Sequence, residues 1–111
     1  MARAAGPKRV EFYKDDSGDT PFVTWLDGLR DSQTRRRILI RLRRLEQGNF
    51  GDCKSVGDGL SELRLFFGSG YRIYFGETGG SLVVILSGGD KASQTKDIKR
   101  AKALWKEHLE Q

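Results

Sequence analysis

A chain of 111 residues with 37% hydrophobic and 10% aromatic content is long enough for one domain with a small core. No apolar run reaches the ~18 residues of a membrane-spanning helix, and MARAAGPKR lacks a signal peptide's apolar run, so the expected setting is the cytoplasm. The net charge of +5 favours an acidic partner, and the single Cys53 rules out an intrachain disulfide.

In chain order, VEFYK (10–14) alternates and predicts a strand. Thr20-Pro21 predicts a helix start, with Phe22, Trp25, Leu26 and Leu29 at helical spacing. Asp31 or Ser32 caps a second helix, on which Ile38, Leu42 and Leu45 recur at one face and which Gly48 stops. Together 20–47 reads as a helical hairpin laid on a sheet. Residues 32–44 hold six arginines and no acid. A solvated face is the ordinary reading of such a block. Arginine forks also suit phosphate or carboxylate, which leaves nucleic acid and an acidic protein both open as partner. Arg37, Arg41 and Arg44 are the candidate RNA contacts on this helix.

Residues 48–59 read as a glycine-rich loop, followed by strands at about 60–67, 71–76 and 81–87 joined by glycine turns. LVVIL is apolar on both faces and predicts the most buried strand. A last helix begins near Ser93 or Thr95. The expected fold is α+β in the order β-α-α-β-β-β-α: helices on a mostly antiparallel sheet, as one domain over 1–111.

The chemistry concentrates in LSELRLFFGSGYRIYFGETGGSLVVILSGGDK (60–91). Charged residues are poor strand formers, so those planted here need a reason. Leu63, Leu65 and Phe67 share one face, as do Tyr71, Ile73 and Phe75, which puts Arg64 and Arg72 together on the other. Lys91 follows the last strand. Ordinary exposed cations on an open sheet are the plain alternative. The functional reading is a basic floor for a phosphodiester, whose fixed cations stabilise a pentacovalent transition state. RNA supplies its own nucleophile, the 2′-OH, so the reading needs no metal and no cofactor. Lys54 lies just ahead of the strands, and Tyr74 shares the parity of Arg72 as a candidate to stack on a base. One His and one Cys do not build a zinc site. His108 is a candidate base on a core-facing helix stripe, where a packed role is commoner.

PFVTWLDGL (21–29), RLRRLEQGNFGDCKSVGDGLSELR (41–64), GYRIYF (70–75) and LSGGDKASQTKDI (86–98) together resemble the RelE/ParE superfamily of toxins. The chain looks closest to the HigB-like addiction-module killers, over about residues 12–109. That resemblance implies a microbial-ribonuclease-like fold and metal-free cleavage of mRNA on the ribosome. It implies that Arg64, Arg72 and Lys91 bind the scissile phosphate, with Lys54 a weaker match. Many members carry a Tyr or His near the C-terminal helix to move a proton; here that spot holds Asp97, with His108 further on. A non-enzymatic DNA gyrase inhibitor of the ParE type and a plain nucleic-acid-binding module are the alternative functions. Either toxin reading implies a cognate antitoxin with a helix-turn-helix DNA-binding domain.

Overall fold

The computed structural model describes residues 6–111, and MARAA, the start of the segment read above for a leader, lies outside them. The elements are β1 (Arg9–Phe12), α1 (Pro21–Asp27), α2 (Ser32–Glu46), β2 (Cys53–Gly57), β3 (Leu60–Arg64), β4 (Arg72–Thr78), β5 (Leu82–Gly89) and α3 (Gln94–Glu110). Thr20 precedes α1, with Pro21 in its first turn. Asp31 caps α2 by accepting from the Gln33 amide.

The strand β2 corrects the expectation of a loop over 48–59. Its composition, CKSVG, is a weak strand former, and the ladder of β3 recruits it. The turn between them is Asp58-Gly59, both at positive φ (57° and 82°). An Asp-Gly pair tolerates that geometry and matches the twist of a two-residue hairpin.

The sheet runs β1-β5-β4-β3-β2, antiparallel except for the parallel pair β1–β5. It is an α+β sandwich with helices on both faces. Phe22 and Leu26 of α1 and Ile38, Leu42 and Leu45 of α2 pack with Leu63, Ile73, Phe75, Val83 and Ile85 on one face. Ala101 and Trp105 of α3 pack with Tyr13, Leu60, Tyr74, Val84 and Leu86 on the other. β5 feeds both layers, as a strand apolar on both faces should. Each burial of a large side chain here is worth roughly 1.5–3 kcal/mol.

Two tryptophans are seated by two glycines. A Cβ on Gly76 would lie 2.6 Å from the Trp105 ring, and one on Gly88 would run into the Trp25 ring from the opposite side. The glycines thus bring α3 and α1 close to the sheet, one on each face. Among the described residues, no helix is long and apolar enough to cross a membrane.

Candidate active site

Two rows of side chains cross the α3 face of the sheet. Arg64 pairs directly with Arg72, which pairs with Gly89. In the next row Lys54 faces Glu62, Glu62 faces Tyr74, and Tyr74 faces Ser87. Alternation therefore brings both arginines to one side, as expected. Like charges directly opposite on a sheet repel, so something must offset the pair.

The offset is Glu62, which is fully buried. Its Oε1 accepts from Arg64 Nε at 2.9 Å. Its Oε2 accepts from Tyr74 Oη at 3.1 Å and from Gln94 Nε2 at 2.9 Å, and lies 3.8 Å from Arg72 Nε. Burial pushes the Glu62 carboxyl up, but the hydrogen bonds from Gln94, Arg64 and Tyr74, with the Arg64 charge, outweigh it and hold it below the usual range. It is a carboxylate that only accepts. The same contact raises Arg64 further above its ordinary value. Arg64 and Arg72 keep 28% and 12% of their side chains exposed. Arg72 also donates through Nη1 to the Gly70 carbonyl at 2.6 Å, while its buried Nε lacks a hydrogen-bond partner among the described residues.

Lys91 and Asp97 complete the group. A Cβ on Gly70 would lie 3.0 Å from Arg72 Nη1 and 3.3 Å from Lys91 Cβ, so the lysine starts beside the Arg72 fork. The Asp97 carboxylate sits directly over Gly89, the register partner of Arg72; a Cβ there would collide with it. Ser93 Oγ donates to Asp97 Oδ2. Lys54 is exposed on the edge strand, two strands away from Tyr74 with Glu62 between them. Cations, a carboxylate acceptor and an accessible edge are thereby juxtaposed at one end of α3.

Three expected site residues are not presented as expected. Tyr74 is fully buried against α3 and donates to Glu62, so its ring is not offered to a base. The exposed aromatic in this stretch is Phe66, 80% exposed and two residues past Arg64, where it lines a hollow with Arg37, Arg41 and Arg44 of α2. His108 packs against Trp105 and Tyr13, about 16 Å along α3 from Asp97 at 1.5 Å per residue. The apolar stripe that carries it holds the helix down, far from the floor. Arg41 is bound into the fold: its fork donates to the carbonyls of Arg64 at 2.8 Å, Phe50 at 2.9 Å and Asp52 at 3.1 Å. That tie anchors β3 and the preceding segment to α2. Arg41→Ala is expected to lower unfolding free energy by about 2–3 kcal/mol in denaturant melts, because three charge-assisted bonds to carbonyls, two of them part-buried, are lost. Arg37, exposed over the Phe67 ring at 5.0 Å, and Arg44, also exposed, remain at the surface.

Glu62 and Gln94 were not legible as site residues. An acid two positions before an arginine on a strand reads as an exposed pair, and the sequence does not announce that α3 covers it.

The phenols report on this packing. Burial first, then the charge and hydrogen bond of Glu62, push Tyr74 above the ordinary tyrosine range. Burial and the bond to Glu107 push Tyr13 up from 10.0 to about 12. Both phenols ionise more readily in the unfolded chain. Their contribution to stability is whole below about pH 10 and is lost as pH rises through the folded values. A 295 nm titration is expected to show these two phenolates only as circular dichroism reports unfolding, near pH 12. Their appearance near pH 10 with the fold intact would contradict the packing.

The family description "Phage derived protein Gp49-like (DUF891)" matches residues 24–106, from α1 into α3 and across the whole floor. The chain belongs to this Gp49-like family. It is a RelE/HigB-like toxin family. A Haemophilus influenzae relative, named only as an uncharacterized protein, is 50% identical to this Gp49-like chain over 86 residues, covering 78% of this chain and 87% of that protein.

Proposed function

We propose that this chain is the toxin of a type II toxin–antitoxin module, acting in the cytoplasm as a metal-independent, ribosome-dependent mRNA endoribonuclease. The observation that carries the reading is the Arg64–Arg72 pair, fixed by the buried Glu62 with Lys91 alongside. The mRNA 2′-OH attacks its own adjacent phosphorus. The bond to the 5′ oxygen of the next nucleotide breaks, leaving a 2′,3′-cyclic phosphate. Asp97 takes the proton of the 2′-OH, and the leaving oxygen is protonated by Lys91 or water. Arg64, Arg72 and Lys91 meet the charge that builds on the phosphoryl oxygens. Lys54 holds a neighbouring phosphate at the edge of the floor, while Arg37 and Arg44, on the α2 side with the exposed Phe66, offer phosphate and stacking contacts to RNA that leaves the floor. Family membership supports an antitoxin partner, with a helix-turn-helix repressor the expected type.

The test is cleavage of an mRNA on programmed ribosomes by purified protein, mapped by primer extension, beside a DNA gyrase supercoiling assay. Cuts within the ribosome-bound codons with gyrase unaffected are the expected result. Blocked supercoiling without RNA cleavage would replace this reading with the gyrase one.

A further inference from the structure

The outer side of α2 takes no part in the core. Ile38, Leu42 and Leu45 point inward. Arg36, Leu39, Ile40 and Arg43 form a second stripe at i, i+3, i+4 and i+7, with Leu39 48% and Ile40 45% exposed. With Ser32 and Arg35 they line a shallow hollow along the helix. Arg35 donates to the Leu29 carbonyl, so Arg36 and Arg43 are the outward forks. α2 packs on the sheet face opposite the Arg64–Arg72 floor, so the stripe is separate from it.

The mixture of arginine and aliphatic side chains selects the occupant. A phosphate backbone would use the arginines and leave Leu39 and Ile40 wet. A second copy would set these arginines against themselves. An amphipathic helix with aliphatic residues on one side and carboxylates at its margins satisfies both chemistries, burying the aliphatics and engaging the forks. We propose that this stripe docks an acidic amphipathic helix of a partner protein. The proposal gives the toxin–antitoxin reading a partner surface and is independent of the cleavage chemistry.

The probe is a fluorescein-labelled helical peptide with leucines at i, i+3, i+4 and i+7 flanked by glutamates, beside a scrambled peptide of equal charge and an oligouridylate. The patterned peptide is expected to bind at least ~10-fold tighter than the scrambled one by anisotropy. The double substitution Leu39→Ser with Ile40→Ser is expected to erase that preference and leave oligouridylate binding unchanged. Both positions are exposed, and a thermal melt checks that the fold survives. Equal binding of the two peptides would overturn the proposal. So would a double variant that weakens oligouridylate instead, or a wild-type dimer in sedimentation that the double variant dissolves. Ribosomal mRNA cleavage by the double variant is read separately. Cleavage by the wild type and the double variant alike, beside wild-type protein that fails to discriminate the two peptides, removes the docking surface and leaves the nuclease reading standing.

Discussion

Arg72→Ala is expected to lose mRNA cleavage by ~10²-fold or more while keeping its fold, because one preorganised charge donor at a developing oxyanion is commonly worth that much. Two facts support the separation of activity from stability. Arg72 lies 3.8 Å from Glu62 and shares no short bond with it. After its removal Glu62 still accepts from Arg64, Tyr74 and Gln94, so no buried charge is stranded. Arg72→Lys keeps a point charge and loses the planar fork, and intermediate activity is expected. Cleavage rates on ribosomes and the midpoint of a thermal melt are the two measurements. Undiminished cleavage by a folded Arg72→Ala protein would remove the phosphate floor from the mechanism.

Glu62→Ala is expected to have the opposite signature, with stability falling first. The substitution leaves two cross-strand arginines facing each other without their carboxylate, and it strands the hydroxyl of the buried Tyr74. Breaking a buried charge pair from one side typically costs about 3–5 kcal/mol. Glu62→Gln keeps the shape and an acceptor, so a smaller loss is expected, with Arg64 less firmly held. Because the Glu62 carboxyl is held below its ordinary range, it contributes stability that is present above the unfolded carboxylate pKa. That contribution is lost as pH falls through the lower folded value. Acid melts of wild type and Glu62→Gln should therefore converge at low pH and diverge towards neutrality. Parallel curves across that range would show that Glu62 does not carry the charge assigned to it.

The same alternation that placed Leu63, Leu65, Ile73 and Phe75 in the core was enough to put Arg64 and Arg72 on one side of the sheet. Pro21, Asp31 and the glycine turns marked helix starts and hairpins, because caps and positive-φ turns are local chemistry. The Asp58-Gly59 turn is equally local, but it follows CKSVG, a weak strand former among glycines, so β2 is not legible from composition. The sequence by itself determined the α+β class, the face of each strand residue and the cationic character of that face. Period-two alternation reports a side of a strand and is silent on what lies above it. Only the tertiary structure decided that α3 covers part of the floor, bringing Gln94 to Glu62 across 32 positions of sequence and burying Tyr74. That docking also sets Asp97 over Gly89 and leaves His108 at the far end of the helix. Charge burial and the aim of an arginine fork, as at Arg41, depend on partners distant in the chain, and no local pattern encodes them.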